Sequence, residues 1–285
     1  MMMQTQNKKS GVAGAGLMGA EIALVQALAG HDVLLLDRDR TALDGAMARL
    51  DRLLDKGVGR GFYEAPEASQ ALSRIRPTVD IADFSSCGIA TEAVFEDAGV
   101  KALVLRQLDA VLPPGAMIAT NTSTIPISVL ASHVGEARRP DFIGMHYFSP
   151  VSRMKLVEVV PAIFTSEACV ARAYALAEAT GKVPIRVKDV PGFAINRVLH
   201  MFMIEAVRLI EEGVVSVEDL DTACRLGLGH PMGPFELMDA TTSSLCLSAQ
   251  QIMFEAYGER FRPRPLLKQR VAAGLVGGKG RKGWR

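Results

Sequence analysis

The chain has 285 residues, of which 49% are hydrophobic and 22% charged, and its formal net charge is +1. This length is at the upper limit for one hydrophobic core and favours two domains, while the near-neutral charge gives no general attraction to nucleic acid or anionic membranes. The four cysteines form no CxxC pair, the first ten residues lack the apolar core of a signal peptide, and no apolar run reaches membrane-spanning length. We therefore expect a soluble cytoplasmic protein with no metal site and with neither nucleic acid nor a membrane as a partner.

The first two-thirds of the chain alternates short apolar segments with helical patterns. Strands are predicted at residues 11–13, 33–36, 89–93, 117–120, 142–145, 155–160 and 183–187. Helices are predicted from a glycine-rich loop to residue 29 and at residues 43–54, 100–112 and 166–180. Such alternation is typical of a mostly parallel sheet covered on both faces, so the expected fold class is α/β.

Beyond residues 189–192 the strand signals fade. Residues 193–211 form one predicted helix that is apolar on nearly all sides, and such a helix has to be buried. Either a partner subunit or the centre of a compact monomeric bundle can bury it. Two more helices are predicted at residues 217–226 and 235–256. The sequence therefore predicts an α/β domain at residues 1–188 and an all-helical domain at residues 189–285.

A motif of the form GxGxxG follows the first predicted strand and begins the first predicted helix. It consists of Gly14, Ala15, Gly16, Leu17, Met18 and Gly19. Gly14 permits a tight turn, Gly16 lets the backbone approach a pyrophosphate, and Gly19 lets the helix pack closely on the sheet. Asp37 lies eighteen residues beyond Gly19, where it can accept hydrogen bonds from the adenine ribose and repel a 2′-phosphate. NAD is therefore favoured over NADP. Because Arg38 can pair with a 2′-phosphate, NADP remains an alternative cofactor. A glycine-rich turn without a nucleotide is the alternative.

Six further motifs follow in chain order. They are AVFE (93–96), NTS (121–123), HYFSP (146–150), MKLVEV (154–159), PGFAINR (191–197) and PMGPF (231–235). Together with the glycine motif they resemble the L-3-hydroxyacyl-CoA dehydrogenase family, including its 3-hydroxybutyryl-CoA members, from about residue 8 to the C-terminus. The resemblance implies a Rossmann-type NAD domain, a helical C-terminal domain that forms a homodimer, and an active site between them. It also implies NAD-dependent oxidation of a short-chain (S)-3-hydroxyacyl-CoA, such as 3-hydroxybutyryl-CoA, in the β-oxidation of fatty acids.

The resemblance further implies roles for individual residues. The catalytic histidine of the family falls on His146 and its partner glutamate on Glu158, while the residues that contact substrate fall on Ser123 and Asn196. The cofactor contacts fall on the glycine motif and on Asp37, Glu96, Lys101, Asn121, Ser123, Ser149 and Lys279.

Two parts of the resemblance are looser. Ser149 stands where family members usually have an asparagine, and the basic segment that contacts CoA in the family matches only at Lys56 and Arg60. These two basic residues can equally be solvated charges. A dehydrogenase of a CoA-free 3-hydroxy acid, such as a sugar acid or carnitine, is therefore an alternative. A dinucleotide-binding protein without turnover is another.

Each predicted site residue also has an ordinary structural explanation. A lone histidine such as His146 is often part of a core. Ser123 can cap a turn, Asn196 can begin a helix, and Glu96 can be a first-turn carboxylate favoured by the helix dipole.

Oxidation of a secondary alcohol leaves a hydroxyl proton that a base has to remove. Unperturbed imidazole titrates near pH 6.5, so His146 can take that proton and return it in the reverse direction. Glu158 lies twelve residues further on, beyond a turn between two predicted strands, so the chain can fold back and bring the two side chains into contact. The carboxylate can then fix the tautomer of the imidazole.

Overall fold

The computed structural model describes residues 8–285, and residues 1–7, where no signal peptide is expected, lie outside the described residues. Two compact units divide the chain, one ending at Val190 and the other comprising Pro191–Arg285. The sequence places the domain boundary after residue 188, two residues earlier. Within residues 8–285, no helix is both long and apolar enough to cross a membrane.

The first unit contains one eight-stranded sheet. Its strands are β1 (Lys9–Ala13), β2 (Asp32–Leu36), β3 (Ile75–Thr78), β4 (Ile89–Glu92), β5 (Met117–Thr120), β6 (Phe142–Tyr147), β7 (Leu156–Pro161) and β8 (Val183–Arg186). Their spatial order is β3-β2-β1-β4-β5-β6-β7-β8. Neighbouring strands are parallel except β6 and β7, which are antiparallel. The sheet is therefore mostly parallel, as predicted.

Helices cover this sheet and bury its apolar side chains. They are α1 (Leu17–Leu28), α2 (Arg40–Val58), α3 (Ala65–Ser73), α4 (Ala98–Val111), α5 (Ile127–Ala131) and α6 (Glu167–Ala179). In α2 the apolar positions repeat with the helical period, and Leu43, Leu50 and Leu54 are buried in the core. The helix begins after Asp39, whose side chain accepts a hydrogen bond from the Thr41 amide at 2.9 Å.

Strand β3 was not predicted from the sequence. Its four residues, IRPT, include an arginine and a proline and show no apolar alternation. A proline is tolerated there because β3 is the edge strand next to β2, where one side of the backbone has no neighbouring strand to bond. The short helices α3 and α5 were not predicted either.

The second unit is helical. Its helices are α7 (Ile195–Glu211), α8 (Val217–Gly227), α9 (Pro234–Thr241), α10 (Ser243–Tyr257) and α11 (Pro265–Ala272). One face of α7 is buried through Met203, Ile204 and Val207, whereas Val198 is 72% exposed and Met201 is also exposed. The expectation that a partner subunit covers these exposed apolar residues stays a prediction.

The single helix predicted at residues 235–256 is wrong, because the chain breaks at Thr242. This residue has a φ of 94°, and its N–H donates to the Met238 carbonyl at 2.8 Å, which ends α9. Its hydroxyl accepts from the Leu245 amide at 3.3 Å, which begins α10. The pattern misses this break because residues 241–244 contain neither glycine nor proline.

Candidate active site

Most of the predicted site residues of the first unit lie at one edge of the sheet. Strands β1, β4, β5 and β6 are parallel, so their carboxyl ends are at the same edge. The glycine motif follows β1, Glu96 follows β4, Ser123 follows β5, and His146 is the next-to-last residue of β6. The strand order reverses between β1 and β4, and open α/β sheets bind their ligands outside such a reversal.

The geometry of the glycine motif fits a pyrophosphate. Gly14 has a φ of 109°, which favours glycine, and a Cβ added there would overlap the Ala93 carbonyl. A Cβ on Gly19 would overlap the Gly14 carbonyl, so glycine is required where α1 packs on the turn. A Cβ on Gly16 would meet no atom within 4 Å, and no side chain caps the first turn of α1. The open side of Gly16 and the uncapped helix N-terminus together suit a bound anion.

Asp37 follows β2 and supports this motif from one side. Its Oδ2 accepts a hydrogen bond from the Ala15 amide at 2.8 Å, and Arg49 donates to the Ala15 carbonyl at 2.9 Å. Arg38, the residue that could favour a 2′-phosphate, is exposed. Asp37 therefore fixes the shape of the glycine loop, and its contact with a ribose stays a prediction.

His146 and Glu158 are direct neighbours across the antiparallel pair β6 and β7. The His146 Nδ1 lies 2.8 Å from Glu158 Oε2, and Nε2 lies 3.1 Å from Ser123 Oγ. His146 is buried, Glu158 is 0% exposed, and the Phe148 ring packs on the imidazole at 4.6 Å between centroids. The structure thus brings three of the four predicted catalytic residues into one hydrogen-bonded series.

This series determines which imidazole nitrogen carries the proton. An ionised carboxylate can only accept hydrogen bonds, so the Nδ1 of His146 has to donate to Glu158. In the neutral ring, Nε2 then carries the lone pair and points at the Ser123 hydroxyl. The arrangement provides a base whose reactive nitrogen is fixed in direction.

Glu96 holds the loop that carries Ser123. One of its oxygens, Oε1, accepts hydrogen bonds from Thr122 Oγ1, the Ser123 amide, the Thr124 amide and Thr124 Oγ1. Burial alone would raise the pKa of Glu96, but the charge of Lys101 and these hydrogen bonds outweigh it, so the pKa lies below its usual value. Asp97, rather than Glu96, caps α4 by accepting from the Val100 amide, so the first-turn explanation of Glu96 is wrong.

Asn121 and Ser149 lie on the two loops that follow β5 and β6. The side-chain oxygen of Asn121 accepts from the Tyr147 amide at 2.9 Å and ties these loops together. The turn after Ser149 is held by buried Lys182, which donates to the carbonyls of Val151 and Met154. Sequence reasoning missed Lys182, since a single lysine before β8 forms part of no motif.

The remaining predicted residues lie elsewhere. Asn196 and Lys279 belong to the second unit. Asn196 lies in the first turn of α7, and Lys279 is an exposed residue of the segment after α11. Lys56 and Arg60 are exposed at the end of α2 and just beyond it. Their contacts with substrate, CoA or cofactor stay predictions.

Residues 8–285 contain no group of three or more His, Cys, Asp or Glu side chains that could hold a metal ion. All four cysteines are buried, and burial raises the pKa of Cys169 to about 12. Such thiols are unreactive near neutral pH.

A glycine motif at the reversal point of a mostly parallel sheet, at the same edge as an imidazole that contacts a buried carboxylate, is typical of nicotinamide-dependent dehydrogenases. Comparison with known proteins narrows this class. Residues 9–190 match the family model for the NAD-binding domain of 3-hydroxyacyl-CoA dehydrogenase, and residues 192–285 match the model for its C-terminal domain.

Individual relatives agree with the family models. The chain is 38% identical over 278 residues to a probable 3-hydroxybutyryl-CoA dehydrogenase from Deinococcus radiodurans, covering 97% of this chain and 99% of that protein. A solved (S)-3-hydroxybutyryl-CoA dehydrogenase from Ralstonia eutropha has a TM-score of 0.92 at 34% identity, with 98% of both chains covered. A solved 5-formyl-3-hydroxy-2-methylpyridine 4-carboxylic acid 5-dehydrogenase has a TM-score of 0.78 at 30% identity, covering 97% of this chain and 90% of that one.

The chain therefore belongs to the 3-hydroxyacyl-CoA dehydrogenase family of NAD-dependent oxidoreductases. The predicted family, the α/β fold class with a helical second part, and NAD as the cofactor are confirmed.

Proposed function

We propose that this protein oxidises (S)-3-hydroxyacyl-CoA to 3-oxoacyl-CoA with NAD⁺, or catalyses the reverse reaction, and prefers short acyl chains such as 3-hydroxybutyryl-CoA. The observation that carries the proposal is the series Ser123–His146–Glu158, which lies at the same edge of the sheet as the glycine motif. Two relatives named for 3-hydroxybutyryl-CoA support the choice of substrate.

The chemistry follows from the direction of the imidazole. When bound, NAD⁺ supplies the acceptor for the hydride that leaves the carbinol carbon. His146 removes the hydroxyl proton with Nε2, and the ionised Glu158 stabilises the imidazolium that forms. In the reverse direction the imidazolium returns the proton to the carbonyl oxygen. The Ser123 hydroxyl, 3.1 Å from Nε2, holds the same substrate oxygen next to the base.

The other predicted residues complete the proposal. Asn196 contacts the substrate, and Lys56 and Arg60 contact CoA. Asn121, Ser149 and Lys279 contact the cofactor. In this account the first unit is the NAD domain and the second unit contributes substrate and dimer contacts.

A homodimer in the cytoplasm is part of the same proposal. Support comes from apolar side chains of the second unit that are exposed in the single chain: Val198, Met201, Leu226, Leu228 and Leu245. A second copy of the chain could bury these side chains and keep them from water.

A comparison of substrates tests the proposal. NADH oxidation is measured with acetoacetyl-CoA and with free acetoacetate, and NAD⁺ reduction with carnitine. We expect kcat/KM to be at least 100-fold higher with the thioester. NADH binding without turnover of any 3-oxoacyl-CoA would instead indicate the non-catalytic alternative.

A CoA-free substrate is the second candidate. It is favoured by the solved relative named for a pyridine carboxylic acid, which is 30% identical to this chain. A higher kcat/KM with a free acid than with its CoA thioester would establish this candidate and remove the first.

A further inference from the structure

Lys101 is buried between two carboxylates next to the loop of Ser123. It is 1% exposed, and its Nζ lies 2.8 Å from Glu92 Oε1 and 3.3 Å from Glu96 Oε2. The carbonyl of Val94 lies 3.5 Å from the same nitrogen. An ammonium group has three N–H donors, and three acceptors of the protein surround this one. Glu92 and Val94 accept hydrogen bonds from Lys101, and Glu96 forms an ion pair with it, so all three contacts lie within the first unit.

Glu96 connects Lys101 to the loop that carries Ser123. Its Oε2 faces Lys101, while its Oε1 accepts from the Thr122 hydroxyl at 2.6 Å and from the amides of Ser123 and Thr124 at 2.8 and 2.9 Å. These donors come from three consecutive residues. One carboxylate oxygen thus fixes the backbone on both sides of the Ser123 side chain.

Glu92 connects the same cation to the strand that precedes the loop. Its Oε1 faces Lys101 and also accepts from the Val94 amide at 2.8 Å. Its Oε2 accepts from the hydroxyl of Thr120, the last residue of β5, at 2.6 Å. The loop is therefore tied at its start through Glu92 and at its middle through Glu96, and both ties converge on one ammonium group.

We infer that Lys101 is a positioning residue: it holds Glu96 in the orientation that fixes the Ser123 loop and thereby places the Ser123 hydroxyl against His146. This role differs from the direct cofactor contact that the sequence predicts for Lys101. Without the ammonium group, the two carboxylates repel each other, and Glu96, which is partly exposed, turns towards water. The catalytic consequence rests on the proposed function, whereas the effect on the loop does not.

Hydrogen–deuterium exchange of the full chain without cofactor tests the effect on the loop. Peptides that cover residues 121–126 report on the amides of Ser123 and Thr124, and peptides of β6 serve as an internal reference. We expect Glu96→Ala to accelerate exchange of these amides at least tenfold. Glu96→Gln should accelerate it less, since its amide oxygen can still accept from the loop. Asp97→Asn, which changes the adjacent carboxylate but retains a helix cap, should leave the exchange unchanged.

A double variant separates positioning from simple neutralisation of a buried charge. Lys101→Met leaves Glu92 buried without a cation and can fail to fold, so Glu92→Gln is combined with it. If Lys101 only neutralised Glu92, the double variant would restore slow exchange in residues 121–126, and the inference would be overturned. We expect exchange to remain at least tenfold faster than in the wild type, because Glu96 still lacks its cation.

Kinetics provide a second readout that distinguishes positioning from cofactor binding. For the double variant we expect kcat for NADH oxidation by acetoacetyl-CoA to fall at least tenfold. The Kd of NADH, measured by its fluorescence, should stay within threefold of the wild type. A Kd weakened more than tenfold with unchanged loop exchange would mean that Lys101 acts on the cofactor and would refute the inference. If the wild type does not turn over, the proposed function fails, and the exchange data still decide the role of Lys101.

Discussion

The Nδ1 side of His146 is held by a buried carboxylate, that of Glu158. Its side chain is fully shielded from water, so no solvent competes for the hydrogen bond to Nδ1. The imidazole therefore keeps one tautomer and one ring direction while its other nitrogen faces Ser123. Proton transfer at Nε2 requires both this tautomer and this ring direction.

The variant Glu158→Gln tests this dependence. An amide can donate as well as accept, so it stabilises the tautomer with the proton on Nε2, which cannot act as a base. We expect kcat to fall by roughly 10²- to 10⁴-fold, the usual contribution of general acid–base catalysis, with an unchanged Kd for NADH. Glu167→Gln, at an exposed carboxylate paired with Arg186, is the matched control and should retain activity. Equal activity in both variants would refute the orienting role.

Individual site residues could be predicted from the sequence where they belong to a motif. The twelve-residue spacing of His146 and Glu158 across a turn predicts their contact, and the structure has that contact at 2.8 Å. Glu92 and Lys182 could not be predicted. Glu92 pairs with Lys101 and with the Thr120 hydroxyl, 28 residues away, and Lys182 donates to a backbone carbonyl 31 residues away. A single charged residue in an apolar segment has no period that would indicate such partners.

At the scale of elements, α7 and α10 pack through a buried imidazole. The Nδ1 of His200 lies 3.7 Å from Cys246 Sγ, and burial lowers the pKa of His200 to about 4. In the unfolded chain this pKa is 6.5, so the unfolded state binds more protons between pH 6.5 and 4. The stability that comes from a neutral His200 is therefore complete above pH 6.5 and is lost as the pH falls towards 4.

This linkage predicts a pH-dependent stability. Between pH 7 and 5 the free energy of unfolding should fall by roughly 2 kcal/mol through His200 alone. His200→Leu should reduce the loss over this interval by about that amount in urea unfolding, whereas His230→Leu should not. An equal loss in the His200→Leu variant and the wild type would contradict a neutral buried His200.

Secondary structure was predictable where apolar periodicity is strong. The buried stripe of α2 and the apolar strands of the central sheet are examples. Strand β3 has no such pattern, because an edge position relaxes the requirement for apolar and hydrogen-bonding residues. The break at Thr242 depends on hydrogen bonds to Met238 and Leu245, which no local composition indicates.

At the scale of the whole molecule, the exposed apolar face of α7 predicts self-association. Val198 is exposed in the single chain, as is Met201 one turn further on. We expect the wild type to have twice the mass of one chain in light scattering at micromolar concentration. Val198→Glu should reduce this mass to that of one chain, because it puts a charge on a face that the partner would bury. Val79→Glu, at an exposed valine of the first unit, should leave the mass unchanged. A monomeric wild type would contradict the prediction.

The two-unit organisation was predictable from the loss of strand signals after residues 189–192, and the units divide at Val190. Each unit has its own hydrophobic core, the first around the sheet and the second among α7, α9 and α10. In the proposed function, the chemistry of the first unit depends on His146 more than on any other residue.

The most direct measurement is the turnover of the His146→Ala variant in NADH oxidation by acetoacetyl-CoA, with His133→Ala as the control. We expect kcat to fall by at least 100-fold in His146→Ala, because the group that acts as base and acid is lost. The Kd of NADH and the activity of His133→Ala should remain those of the wild type. Undiminished kcat in the His146→Ala variant would contradict this expectation.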